Sequence, residues 1–163
     1  MRLIVIRHAR AKTRDAARWP DDHDRPLTKD GRRDFARLAA RLPSWIESPA
    51  VVLSSVWVRA WDTAAILANE TGWPHPVREP TLETEGGDAA VEAILRMLRT
   101  RTQQDPVALV GHEPVLGQLV ARLLGGDAMV TFRKGAVALL DIDPAQGCGT
   151  LQALVPPEAV RRP

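Results

Sequence analysis

Residues 3–6 form an unbroken apolar run, partly β-branched and without polar alternation. A strand buried on both faces of a parallel sheet reads this way. The polar stretch 7–24, interrupted by Pro20, predicts a long loop. The period then changes. After Thr28, a suitable N-cap, Phe35, Leu38, Ala39 and Leu42 fall on one face of a helix that Pro43 ends. "AVVLSS" (50–55) predicts a second buried strand. A helix follows, with Ala60, Thr63, Ala64 and Leu67 on one stripe and Gly72 as its stop. "HPVREP" (75–80), with proline at both ends, suits a short edge strand, and "TLETEGGD" (81–88) a loop. Residues 89–101 place Val91, Ile94, Leu95 and Leu98 inward on a helix. "PVALVGH" (106–112) predicts a third buried strand. A further helix over 113–126 has Pro114 in its first turn and Gly125 past its end. "AVALLDID" and "GTLQALV" predict a final hairpin, and residues 156–163 a frayed tail.

The alternation β-α-β-α-(β)-α-β-α-β-β predicts a single-domain α/β fold over 1–163. It is three-layered, with helices on both faces of a mostly parallel central sheet. Ligands of such sheets bind outside the carboxyl ends of the strands. Three expected strand ends carry marked polar groups: Arg7 with His8, Ser55 with Arg59 one turn into the next helix, and His112. Two histidines and two arginines could therefore meet at one edge of the sheet.

Composition narrows the function classes. The formal net charge of +2 and the absence of a basic stripe disfavour a nucleic-acid partner. Scattered tryptophans offer no base-stacking platform. No apolar run reaches membrane-spanning length, and residues 2–6 are too short for a signal-peptide core, so a soluble cytoplasmic protein is expected. The single cysteine, Cys148, excludes an internal disulfide and a multi-cysteine zinc site, and is expected to be inert in a loop. Nineteen of the 22 cations are arginine, which gives many chances to place a planar fork around an oxyanion.

The expected constellation suits phosphoryl transfer. Arginines grip the equatorial oxygens of a transferring phosphoryl group bidentately. A helix N-terminus adds backbone donors. A neutral imidazole can attack phosphorus and become a phosphohistidine. A second, protonated histidine would donate to an oxygen and offset developing charge. No metal or other cofactor is required. His23 in "DDHD" (21–24) reads as part of a solvated acidic loop rather than a metal ligand, and His75 as surface. Trp57 and Trp61 read as core, with pocket lining the alternative for the pair. "RKG" (133–135) reads as a solvated turn or as a substrate-guiding cation.

"RHARA" (7–11), "SSVWVRAWDTA" (54–64) and "GHEP" (111–114) resemble the histidine phosphatase superfamily, the phosphoglycerate mutase-like enzymes. "RPLTKDG" (25–31), the short length and the lack of a lid insertion resemble its short SixA-type phosphohistidine phosphatases. The chain departs from the pattern at Ala9, where glycine is usual, and at Val56, where proline is usual. The resemblance implies His8 as nucleophile, Arg7 and Arg59 as phosphoryl clamps and His112 as the second imidazole. Arg25 is implied as a further phosphate contact, the alternative being a loop salt bridge with Asp22 or Asp24. Glu83 and Glu85 are the candidates for a leaving-group acid, although neither falls on a motif position. A pocket poor in acid suits a P–N bond, because the departing imidazole can be protonated near neutral pH while an alkoxide needs a positioned acid. The expected activity is hydrolysis of phosphohistidine on a partner protein such as a histidine phosphotransfer domain. A small-molecule or polyphosphate phosphatase and a non-catalytic phosphate-binding regulator are the alternatives.

Overall fold

A computed structural model describes residues 1–101, 105–126 and 129–160. The apolar run at the start becomes β1 (Arg2–Arg7), in which Leu3, Ile4, Val5 and Ile6 are all fully buried. Successive strand residues point to opposite faces, so one short segment feeds two cores. Leu3 and Val5 join one cluster, and Ile4 and Ile6 the other. Each such side chain contributes about 1.5–3 kcal/mol by leaving water.

The remaining elements follow as α1 (Lys29–Ala39), β2 (Val51–Ser54), α2 (Val58–Thr71), β3 (Val77–Arg78), α3 (Asp88–Arg99), β4 (Val107–Gly111), α4 (Val115–Leu123), β5 (Val137–Asp143) and β6 (Cys148–Val155). The strands form one sheet in the order β3-β2-β4-β1-β5-β6. β3, β2, β4 and β1 run parallel, while β5 and β6 are antiparallel to their neighbours. Helices cover both faces. Phe35 and Leu38 of α1 pack with Ala60, Ala64 and Leu67 of α2 in one cluster. Val91, Ile94 and Leu95 of α3 pack with Leu116, Leu119 and Val120 of α4 in the other. This is the three-layer, mostly parallel α/β architecture expected from the sequence.

Local chemistry sets the boundaries. Thr28 caps α1, its side chain accepting from the Gly31 amide. Gly72 ends α2 at φ 71°, a left-handed conformation that glycine adopts without a Cβ penalty. Pro114 lies immediately before α4 rather than within its first turn. Cys148 is exposed and opens β6 instead of lying in a loop. The tail from residue 156, expected to fray, forms a 3₁₀ turn over Pro157–Ala159, and Val160 packs against the α1–α2 core. An apolar side chain close to a core face offsets the entropy of ordering a few residues. Residues 161–163 of that expectation lie outside the described residues. No helix among the described residues is long and apolar enough to cross a membrane.

Candidate active site

Sheet register brings the two histidines together. β1 and β4 are parallel neighbours with Arg7 opposite Gly111. His8 and His112 are therefore the first residues beyond two adjacent strand ends, and their ring centroids lie 5.3 Å apart. The His8 amide donates to the Gly111 carbonyl at 3.0 Å, which carries the pairing one step past the strand. On the other side of β4, Ser55 follows β2 in the same way, its amide donating to the Val110 carbonyl at 3.1 Å. The Ser55 hydroxyl lies 2.9 Å from Nε2 of His112 and accepts from the Trp57 amide.

A motif spacing explains how α2 is fixed to this edge. Thr63 follows Arg59 by one helical turn. Its hydroxyl donates to the Arg59 carbonyl at 2.7 Å and accepts from the Ala9 amide at 2.9 Å. One side chain thus links the segment carrying His8 to the helix carrying Arg59. Ala9 is itself buried against the α1–α2 core.

The His8 ring is oriented by backbone. Its Nδ1 lies 2.7 Å from the Ala9 carbonyl. A carbonyl only accepts, so Nδ1 carries the proton and Nε2 of the neutral ring keeps its lone pair. Burial pushes the His8 pKa down to about 3, with further lowering by Arg59, Arg7 and Lys134. Burial likewise pushes His112 down to about 2, helped by His8, Arg59, His23 and Arg7. Both rings are neutral at physiological pH, so His112 in the free protein does not meet the condition, protonation, under which the sequence reading makes it a cationic donor. Its Nδ1 is buried without a protein partner. In the tautomer whose Nε2 accepts from the Ser55 hydroxyl, Nδ1 bears a proton and can act as a neutral N–H donor.

The arginines complete the pocket. Arg7, His8, Arg25, Arg59, Glu85 and His112 line one cavity of about 420 Å³, together with Arg14, Asp22, Trp57, Thr84, Glu113, Pro114 and Lys134. Arg7 donates to the Phe132 carbonyl at 2.5 Å and keeps a buried Nε without a protein partner. Arg59 lies over the Trp57 ring, 4.9 Å from its centroid, and also keeps a buried, unpartnered Nε. Burial lowers the pKa of both guanidiniums from the ordinary value, but arginine stays charged. The ring of Trp57 contacts His112 at a centroid distance of 4.3 Å and stacks on His23 at 4.1 Å. Trp57 thus lines the pocket as well as being buried, whereas Trp61, which does not line it, is half-buried in α2.

Asp22, named from the sequence only as a possible partner of Arg25, also holds Arg59. Its carboxylate takes Arg25 at 2.8 and 3.2 Å and Arg59 at 3.3 Å, and its carbonyl accepts from Arg59 at 2.7 Å. The hydrogen bond from Arg25 lowers its pKa most strongly. Arg25 therefore makes the loop salt bridge while still lining the pocket. The only signal in the sequence was the proximity of Asp22 to Arg25. Its second partner lies 37 residues away.

The candidate acids separate. Glu83 pairs with Arg78 of β3 at 2.8 and 3.1 Å, which lowers its pKa, and it does not line the cavity. A carboxylate held ionised by an arginine is a poor proton donor at neutral pH. Glu85 lines the cavity. Glu113 also lines it, but its oxygens accept from the Gly117 and Phe132 amides at 3.2 and 2.7 Å. No group of three or more His, Cys, Asp or Glu side chains that could hold a metal ion occurs among the described residues.

Residues 3–90 match the model of the histidine phosphatase superfamily, branch 1. Phosphohistidine phosphatase SixA of Escherichia coli K12 is 32% identical over 155 residues, covering 92% of this chain and 90% of that protein. A solved structure of the protein histidine phosphatase SixA complexed with tungstate superposes with a TM-score of 0.84 at 28% identity, covering 99% of this chain and 100% of the other. The alpha-ribazole phosphatase of Shigella flexneri shares the fold, with a TM-score of 0.75 at 24% identity over 94% of this chain and 96% of that one. A polar edge built at the ends of β1, β2 and β4, the motifs that supply it, and these matches together place the chain in the histidine phosphatase superfamily.

Proposed function

We propose that the protein is a metal-independent phosphatase that removes the phosphoryl group from phosphohistidine on a partner protein, by way of a phosphohistidine on His8. One observation carries the reading. Three buried nitrogens without a partner among the described residues, Nε of Arg7, Nε of Arg59 and Nδ1 of His112, belong to residues that share one cavity with a neutral His8 whose Nε2 has no described partner. Buried donors normally find acceptors, and a tetrahedral oxyanion offers several at once. Relatives support the assignment, since the SixA of Escherichia coli is a phosphohistidine phosphatase and a SixA structure was obtained with tungstate, an oxyanion of the same shape.

The chemistry proceeds in two displacements. Nε2 of His8 attacks phosphorus in line and forms a new P–N bond as the P–N bond of the substrate breaks. The departing imidazole takes up a proton, which its pKa permits near neutral pH. Arg7 and Arg59 neutralise the equatorial oxygens, and His112 donates from Nδ1. Each such donor contributes about 2.7–4 kcal/mol to lowering the barrier. Water then attacks the phosphorylated His8, releasing inorganic phosphate and restoring the neutral ring. Arginines of the chain supply the positive charge at every stage. The deciding comparison is hydrolysis of a phosphohistidine protein against an alkyl phosphate monoester. A strong preference for the P–N bond is expected, and a preference for the ester overturns the substrate assignment.

Glu85 favours a second reading, a phosphatase of small phosphate monoesters. It lines the cavity, makes no hydrogen bond or ion pair within 4.0 Å with another described residue, and interacts electrostatically with Arg59, which puts a carboxyl group beside the proposed phosphoryl site. Glu85→Gln separates the two. On the first reading phosphohistidine turnover persists in the variant, and on the second ester hydrolysis is the main activity and collapses.

A further inference from the structure

A second groove, of about 220 Å³, adjoins the phosphoryl pocket and shares one residue with it, Lys134. One wall is the start of α1, with Gly31, Asp34, Phe35 and Arg37, and Arg10 lies beside it. The other is the ordered tail, with Pro157, Glu158 and Val160. Two glycines allow close packing around the groove. A Cβ on Gly31 would stand 2.2 Å from the Arg10 carbonyl oxygen, so only glycine allows α1 to press against that segment. Gly135 has φ +81°, and a Cβ there would stand 2.9 Å from Pro157. Lys134, next to Gly135, lines both the groove and the pocket.

The charges of the groove are unequal in their partners. Asp34 pairs with Arg10 at 3.3 Å, with Arg33 at 3.5 Å and with Arg37 at 3.8 Å, so one carboxylate serves three guanidiniums. Glu158 reaches Arg133 at 3.9 Å. Lys134 has no carboxylate or hydrogen-bond partner among the described residues. Partial burial and the nearby Arg7, Arg25, Arg10 and Arg59 lower its pKa. An exposed ammonium near four guanidiniums attracts an anion beyond the single phosphoryl group that the catalytic histidine requires. Phe35, Pro157 and Val160 give the same groove an apolar side.

We propose that this groove seats the segment of the substrate protein next to its phosphorylated residue, with an acidic side chain of that segment on Lys134. The proposal rests on the reading that the substrate is a phosphorylated protein. It makes Lys134 a specificity residue, acting beside the reacting atoms rather than on them. Charge sign selects the partner: a groove with surplus cations rejects a basic segment and accepts an acidic one.

The test uses two peptides, identical except that the residues flanking the phosphohistidine are acidic in one and neutral in the other. Each is prepared with phosphohistidine for turnover and with a non-hydrolysable phosphonate analogue for equilibrium binding to the full chain. The expected result is an acidic-over-neutral preference of about fivefold in binding and in kcat/KM, carried by KM, as suits a partly exposed ion pair. The preference disappears in Lys134→Ala, returns in Lys134→Arg and shrinks in 1 M salt, where charges are screened beyond about 3 Å. Equal binding of the two peptides by the unaltered protein, or a preference that survives Lys134→Ala, overturns the proposal. So does an equal loss for both peptides in Lys134→Ala, because Lys134 would then serve the phosphoryl group alone. Failure to hydrolyse either phosphohistidine peptide contradicts the substrate assignment instead, and the binding ratio still decides the groove.

Discussion

The two halves of the pocket are built by different means. The imidazole half grows directly from the sheet. His8 and His112 stand one residue beyond paired strands, are nearly completely buried, and take their orientation from a carbonyl and a hydroxyl. The guanidinium half is assembled from a helix start and a loop. Arg59 and Arg25 are both held by Asp22, which belongs to a 3₁₀ turn over Asp22–Asp24. Backbone orients His8, the proposed nucleophile, in the free protein. A carboxylate of the chain occupies Arg25 and Arg59, two of the cations that the proposed mechanism assigns to the phosphoryl group. On that mechanism the imidazole side is organised in advance, and the guanidinium side exchanges one anion for another.

Four perturbations sharpen or break that contrast. The largest effect belongs to His8, the proposed nucleophile. His8→Ala should lower turnover by at least about 10⁴-fold, as loss of a nucleophile commonly does, and should abolish any trapped phosphoenzyme. Retention of about a tenth of the activity in a steady-state assay would show that another group attacks.

Stability should respond to the imidazole half through pH. The unfolded histidines titrate near 6.5, whereas the folded His8 and His112 titrate at about 3 and about 2. Between these values the unfolded chain carries more protons, so stability rises with pH up to about 6.5 and is lost as pH falls through that window. Denaturant unfolding at pH 7 and pH 5 should differ by about 4 kcal/mol from the two histidines together. His8→Asn should remove about half of the difference, and an unchanged difference would mean that the ring is not held neutral.

These two effects concern what was legible in the sequence, and the next two concern what was not. An apolar strand that stops at Arg7 and His8 announces a site because burial and charge conflict there, and Gly111 with His112 repeats the signal. The alternation of elements implied a sheet edge where such ends collect. The register that pairs Arg7 with Gly111 is a property of two strands aligned in space, and so is the Ser55 contact that follows from it. The hold of Asp22 on Arg59 was hidden for a related reason: it depends on the path of a long polar loop across the mouth of α2, which no periodicity encodes. The tail misled because Val160 reads as terminal and isolated until α1 supplies a surface for it.

Asp22→Asn tests the loop side. Removing the internal carboxylate frees Arg59 and Arg25, so inorganic phosphate should inhibit about tenfold more tightly, a gain of about 1.4 kcal/mol. Weaker inhibition would show that Asp22 serves mainly to hold the arginines in place. The smallest effect is expected from Ser55→Ala, which unmoors the His112 tautomer without removing a charge. The loss of a single neutral hydrogen bond, about 1 kcal/mol, predicts a fall in kcat of about fivefold, with KM nearly unchanged. A normal kcat in this variant would mean that the hydroxyl does not set the tautomer.

The most direct measurement is the position of the phosphoryl group in the phosphoenzyme. After rapid mixing with a phosphohistidine protein and quenching in alkali, peptide mapping and ³¹P NMR identify the phosphorylated residue and nitrogen. Phosphate on Nε2 of His8, and nowhere else, is the result that the backbone-fixed ring predicts. Phosphate on Nδ1 of His8, on His112 or on any other side chain would contradict it.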